Sequence, residues 1–171
     1  MMASMACALP YAIAAQIAYP ERQCIAFVGD GGMAMLMSEF ATCVKYQLPV
    51  KVFVVRNDSL AQIKWEQLMF LGNPEYGCDL HPIDFAAVAR ACGGTGFTLR
   101  NPEHAGSLIE EALATPGPVL LDATVDQLEA PMFANMKPEQ AKKLRQALAS
   151  GQPDAAGILA NANKERAREL V

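Results

Sequence analysis

The sequence predicts an α/β fold in which a parallel β-sheet is flanked by helices. Three observations carry that expectation. Two apolar runs, 24–28 and 50–55, read as buried strands. The segment between them, 35–47, has helical spacing. Each run ends in polar or glycine-rich residues, Val28-Gly29-Asp30-Gly31-Gly32 and Val55-Arg56-Asn57-Asp58-Ser59. Strand, helix and strand in that order form a βαβ unit of about 30 residues. Its two strand ends lie side by side at the carboxyl edge of the sheet, where parallel sheets bind ligands.

The remaining elements follow in order. Ser4 is placed to cap a helix over 5–18, apolar on all sides and therefore expected to be buried. Pro20-Glu21-Arg22 turns the chain into the first strand. In the next helix Leu36, Phe40, Cys43 and Val44 share one apolar face, and Leu48-Pro49 ends it. Helical spacing returns over 60–71, with Ile63, Gln67 and Phe70 in one row, and the turn-rich loop 72–77 is long enough to act as a flap. A short helix over 84–92 ends at Gly93-Gly94, a third strand covers 97–99, and a helix over 102–113 begins with proline. The fourth strand, 118–125, is followed by a polar connector and two charged helices, 138–149 and 154–170. Alternating strands and helices of this kind make an α/β layer fold.

Composition narrows the function. The chain has 171 residues, 52% of them hydrophobic and 19% charged, which suits a globular domain with a real core. A net charge of -4 supplies no basic footprint, so nucleic acid is not an expected partner. The apolar stretch 1–18 is broken by Ser4, Pro10, Tyr11 and Gln16, too often for a membrane span or a signal peptide. Five scattered cysteines form no C-x-x-C pair and read as buried thiols of a reducing compartment, which makes the cytoplasm the expected location. His81 and His104 have no visible partner in the sequence and are assigned no catalytic role. Trp65 and Glu66 fit either a substrate mouth or ordinary packing and solvation.

The chemistry centres on Asp30 and Asn57. A carboxylate and an amide oxygen suit Mg²⁺, which wants six oxygens in an octahedron at roughly 2.0–2.1 Å. The Ser59 carbonyl is the natural third donor, with diphosphate oxygens and water to complete the shell. Gly31 and Gly32 let the backbone approach the phosphates. Two rival readings exist. Asp30-Gly31 is a common hairpin turn, but the helical pattern after it argues otherwise. Gly29-x-Gly31-x-x-Ala34 also fits the loose fingerprint of a nicotinamide dinucleotide-binding domain. There Asp30 would set a carboxylate beside a pyrophosphate, and the acidic residue expected about 20 positions on is absent.

Gly29-Asp30-Gly31, followed at a distance by Asn57, resembles the cofactor signature of thiamine diphosphate enzymes. The stretches Ser4-Met5-Ala6-Cys7-Ala8-Leu9-Pro10, Ser59-Leu60-Ala61-Gln62-Ile63-Lys64-Trp65-Glu66-Gln67, Phe70-Leu71-Gly72-Asn73-Pro74-Glu75-Tyr76-Gly77 and Pro116-Gly117-Pro118-Val119-Leu120-Leu121-Asp122 extend the likeness. They look most like pyruvate oxidases and quinone-linked pyruvate dehydrogenases. The resemblance implies that 1–130 is the diphosphate-binding domain and 131–171 a helical tail packing on it or on a partner. It implies that Asp30, Asn57 and the Ser59 carbonyl hold Mg²⁺, and that Gly29, Gly31 and Gly32, with Leu60 and Ala61, line the diphosphate. The Ala3 carbonyl and Met5 amide would face the aminopyrimidine, with the Met5 side chain wedged beneath the thiazolium.

The resemblance further implies a part in decarboxylating pyruvate or a similar 2-oxo acid, with the cofactor as electron sink. The family's glutamate that protonates the aminopyrimidine, and most of its flavin (FAD) site, lie in domains this chain does not resemble. No catalytic residue is therefore expected here, and a homo- or hetero-oligomer with a chain bearing the pyrimidine-binding domain is. Alternatives are an acetolactate synthase-like fragment and a non-catalytic remnant. Ala6, Ala8 and Ala61 stand where the family usually has glycine, and Arg56 where it has asparagine. That arginine is expected either to assist the diphosphate or to disturb the site. Ile158, Leu159 and Ala162 form a short apolar patch in the tail, and its mixed charge favours a solvated helix over membrane contact.

Overall fold

In the computed structural model, which describes residues 4–129 and 136–168, four strands form one all-parallel sheet: β1 (Ile25–Gly29), β2 (Lys51–Arg56), β3 (Thr95–Leu99) and β4 (Val119–Thr124). Their order is β1-β2-β4-β3, so β1 and β2 are neighbours, in register from Ile25↔Lys51 to Gly29↔Val55. The helices are α1 (Ala8–Ala18), α2 (Asp30–Leu36), α3 (Phe40–Lys45), α4 (Ala61–Glu66), α5 (Phe85–Ala91), α6 (Ala105–Ala114), α7 (Pro138–Ala149) and α8 (Ala155–Arg168). The α/β parallel architecture expected from the sequence is the one observed.

The chain divides into two compact units, residues 1–58 with 81–125 and residues 59–80 with 126–171. In the first, one face of the sheet buries Ala26, Val28, Val52, Val54 and Leu120 against Leu9, Ile13, Met33, Phe40 and Phe85. The other face packs Val119 and Leu121 on Ala112 of α6. Phe27 of the edge strand β1 stays 73% exposed on that second face. Lys51 opens β2 from a buried position and donates to the carbonyls of Thr115 and Gly117. Burial lowers its pKa below the ordinary lysine value.

Several local expectations are corrected. Ser4 occupies the cap position, but its side chain makes no capping bond, and the first turn, Met5–Cys7, is a 3-10 helix. Helix α1 is not buried on all sides: Leu9, Ala12, Ile13 and Gln16 face inward, while Tyr11 and Ile17 are exposed. The helix expected over 35–47 starts earlier, at Asp30, and breaks at a 3-10 turn, Met37–Glu39, where Leu36 has left helical backbone angles. That break turns Leu36 outward while Phe40 and Cys43 are fully buried. Of the five thiols only Cys43 and Cys78 are buried, and Cys7, Cys24 and Cys92 are partly exposed.

Cys43 carries a pH prediction. Burial pushes its thiol up to about 11 from 9.0. The unfolded chain ionises near the ordinary value, so the protonated thiol's contribution is complete below about pH 9 and is lost as pH rises towards about 11. That loss is about 2–3 kcal/mol. Urea midpoints measured across this range should fall less steeply for Cys43→Ala than for the wild-type chain.

The second unit is built on the other helical repeat. The row Ile63, Gln67 and Phe70 does lie along one side, but Ile63 and Phe70 are exposed; the buried side is Lys64, Trp65, Leu68 and Met69. After Glu66 the helix widens to a π-turn, Gln67–Leu71, and Gly72 ends it in the left-handed region at φ 73. Trp65, Leu68 and Met69 form a core with Leu144, Ala147 and Ile158 of the tail. Ile158 of the apolar patch is thus internal, whereas Leu159 is 49% exposed. The expected domain boundary at 130 lies outside the described residues. No helix among the described residues is long and apolar enough to cross a membrane.

The loop 72–77 is tied down. Gln67 clamps Tyr76 from both sides, accepting from its amide at 2.7 Å and donating to its carbonyl at 3.2 Å. The Glu75 amide donates to Gln152 Oε1 at 2.8 Å, and the Glu75 carboxylate pairs with Lys64 Nζ at 2.8 Å. These bonds hold the segment that its length alone suggested as a flap.

Candidate cofactor site

Asp30 is the pivot of the carboxyl edge. Gly29 leaves β1 in extended conformation, and Asp30 begins α2 only 6% exposed. A carboxylate this buried must be satisfied, and three backbone amides do it. Asp30 Oδ1 accepts from Gly31 N at 2.9 Å. Its Oδ2 accepts from Asn57 N at 3.1 Å and from Asp58 N at 2.6 Å. The sheet register makes this reach natural, since Gly29 stands opposite Val55. The structure therefore brings Asp30 and Asn57 together, through the Asn57 backbone.

Gly32 has no room for a side chain. A Cβ there would meet the Met5 carbonyl at 2.7 Å and Val28 Cγ2 at 3.0 Å. The backbone of the Met5–Cys7 turn thus lies directly against the glycine-rich start of α2. Met5 itself is 50% exposed, and a Cβ on Gly29 would meet nothing within 4 Å. Ala3 lies outside the described residues. Ser59, Leu60 and Ala61 belong to the second unit. Ser59 is buried and bridges to Asp79, Leu60 N donates to Cys78 O at 2.8 Å, and Ala61 opens α4.

Arg56 is engaged by three side chains of the fold. As the last residue of β2 it donates through Nε to Asp122 Oδ1 at 3.0 Å, and through one terminal nitrogen to both oxygens of Asp58 at 3.0 Å. Its other terminal nitrogen donates to Thr124 Oγ1 at 2.9 Å. Burial works against the Arg56 charge, yet its bonds to Asp58 and Asp122 outweigh it and hold the pKa above the ordinary guanidinium value. Burial likewise raises the Asp122 carboxyl, with Arg56 opposing the shift. Asp122 is only 1% exposed and was not singled out from the sequence. The signal was there: a carboxylate inside the apolar run of a strand requires a cation nearby.

Trp65 is a core residue, and Glu66 is an exposed one bonded by Gln62, so neither needs a substrate to explain it. His81 and His104 are exposed. Among the described residues no group of three or more His, Cys, Asp or Glu could hold a metal alone. A hard cation at Asp30 would therefore draw on amide, carbonyl and ligand oxygens, which is the habit of Mg²⁺.

The geometry agrees with the sequence comparisons. Residues 1–123 match the family described as "Thiamine pyrophosphate enzyme, C-terminal TPP binding domain". The Bacillus subtilis (strain 168) protein YdaP, whose name describes it as thiamine pyrophosphate-containing, is 40% identical over 141 residues, 82% of this chain and 24% of its own length. A pyruvate oxidase of Lactiplantibacillus plantarum is 35% identical over 172 residues, covering 99% of this chain and 27% of that protein. An acetolactate synthase large subunit of Pyropia yezoensis is 35% identical over 130 residues, 75% of this chain and 22% of that one. The chain spans about a quarter of the length of these relatives. By this match and by its fold, the chain belongs to the thiamine pyrophosphate enzyme family, as a C-terminal cofactor-binding domain.

Proposed function

We propose that this chain holds thiamine diphosphate through Mg²⁺ and serves an enzyme that decarboxylates pyruvate or a similar 2-oxo acid. The observation that carries the reading is the Asp30 carboxylate, buried at the ends of β1 and β2 and bonded to the Asn57 and Asp58 amides. The three amide bonds leave part of the carboxylate's acceptor capacity free, since two ionised oxygens offer about four lone-pair positions. Asp30 would give the metal one oxygen and the Asn57 side-chain amide another. The third expected donor, the Ser59 carbonyl, follows Asp58 directly in the chain. The Gly31 and Gly32 backbone would meet the diphosphate.

Thiamine diphosphate supplies the electron sink that makes loss of carbon dioxide from a 2-oxo acid feasible. This chain's part is to bind and orient: Asp30 fixes the metal, and the Met5 turn against Gly32 fixes the backbone beside it. A pyruvate oxidase type is favoured because that similarity runs over 99% of the chain, where the acetolactate synthase similarity covers 75%. In this reading the acid that protonates the aminopyrimidine, and any FAD, belong to polypeptide corresponding to the remaining three quarters of the relatives, on the same chain or on a partner in an oligomer. A cytoplasmic setting goes with that role.

Mn²⁺ tests the metal role directly by electron paramagnetic resonance. With thiamine diphosphate present, the wild-type chain should take Mn²⁺ out of the free-ion signal, and Asp30→Asn should leave it there. Equal thiamine diphosphate binding in excess chelator would overturn the reading.

A further inference from the structure

We propose that Arg56 is a positioning residue that sets the metal-binding turn, acting through the backbone of Asp58; this rests on the Mg²⁺-diphosphate reading of Asp30 and Asn57. Asp58 is one of three non-glycine residues at positive φ among the described residues, at φ 56. The left-handed region is disfavoured for a residue with a Cβ, though aspartate tolerates it better than most. Something must hold it there. That conformation aims the Asp58 amide at Asp30 Oδ2, 2.6 Å away, with the Asn57 amide on the same oxygen at 3.1 Å. Two successive amides, the second of them that of the left-handed residue, thus tie the candidate ligands Asp30 and Asn57 together.

Arg56 supplies the hold. It grips both oxygens of Asp58 at 3.0 Å while its Nε is anchored on Asp122 and its remaining nitrogen on Thr124, both in the neighbouring strand β4. Strand pairing sets Arg56 opposite Thr124, so the anchor moves with the sheet. The Arg56 carbonyl is also occupied, by Val125 N at 2.9 Å. The guanidinium fork suits such a bridge, because its donors lie in one rigid plane. It also neutralises two carboxylates beside a site that must accept an anionic diphosphate. A metal loop with Arg56 intact is set before any ligand arrives.

Substitutions separate this from general stabilisation. Asp58→Ala and Asp58→Gly both delete the bond to Arg56, but only glycine adopts φ 56 without strain. Calorimetric titration of thiamine diphosphate in Mg²⁺ should show affinity lowered at least about tenfold in Asp58→Ala and within about threefold of wild type in Asp58→Gly. Arg56→Gln should cost about tenfold in the wild-type background and less than about twofold beside Asp58→Gly, the non-additivity expected of residues acting as one unit. Hydrogen exchange of the Asn57 and Asp58 amides in the ligand-free chain should quicken in Arg56→Gln and in Asp58→Ala. Unchanged affinity in Arg56→Gln, or an undiminished loss beside Asp58→Gly, would overturn the proposal. A wild-type chain that binds no Mg²⁺-thiamine diphosphate, yet shows the exchange effect, would overturn the cofactor reading and leave the clamp standing as a fact of the fold.

Discussion

Glu75→Gln destabilises the second unit by about 3–5 kcal/mol, because it strands a buried ammonium. Lys64 is 1% exposed and its partner Glu75 9%, at 2.8 Å. Removing the anion leaves the lysine charge buried with no counter-ion, since Lys64 is fully enclosed. Lys64→Met should cost about as much, about 3–5 kcal/mol: methionine refills the volume, but Glu75 Oε2, the oxygen that pairs with Lys64, is left buried without its cation. The double variant should be closer to wild type than Glu75→Gln alone, since a paired deletion leaves no orphaned charge. Trp65 is the chain's one tryptophan and lies in this core. Its fluorescence during urea unfolding reports the unit directly, and faster exchange of the Glu75 and Tyr76 amides should accompany the loss.

Asp30→Ala acts on fold and site together. It deprives three backbone amides, those of Gly31, Asn57 and Asp58, of their acceptor. Each orphaned buried donor costs about 1–3 kcal/mol, and water entering at the exposed Gly29 side offsets part of this, for a net loss of about 2–4 kcal/mol. Asp30→Asn keeps one oxygen, enough for the Asn57 and Asp58 amides but not for that of Gly31, and should cost about 1–3 kcal/mol. It nonetheless removes the charge a divalent cation needs. Since even outer-shell changes at metal sites cost 10–100-fold, a loss of about 100-fold in Mg²⁺-dependent affinity is expected if Asp30 is the direct ligand proposed. Thermal unfolding and metal titration of the two variants separate the structural share from the binding share.

The parallel sheet and its βαβ unit were legible because β1 and β2 are short apolar runs that end in glycine and polar residues. The nearness of Asp30 and Asn57 was legible for the same reason. Their actual contact was not: the bond runs from the Asn57 backbone, and it depends on Asp58 at φ 56, a conformation that a one-residue pattern does not announce. Whether Arg56 assists or disturbs a diphosphate is open in the sequence, and its anchoring on Asp122 is hidden there, because the pairing of β2 with β4 brings together residues 66 positions apart. The helix after β2 was legible from its spacing, but which side it buries was not. Its buried side carries a lysine, and an apolar-periodicity argument discards lysine unless the partner glutamate, eleven positions on, is known. Loop 72–77 reads as a flap from its length and turn formers, while Gln67 and Lys64 of the preceding helix and Gln152 of the tail hold it.

Calorimetric titration of thiamine diphosphate into the wild-type chain, with Mg²⁺ and then with excess chelator, tests the central claim most directly. Saturable binding with Mg²⁺ that disappears in chelator is the predicted result. Binding that is indifferent to the metal, or none by a chain whose Trp65 fluorescence reports a folded core, would contradict it.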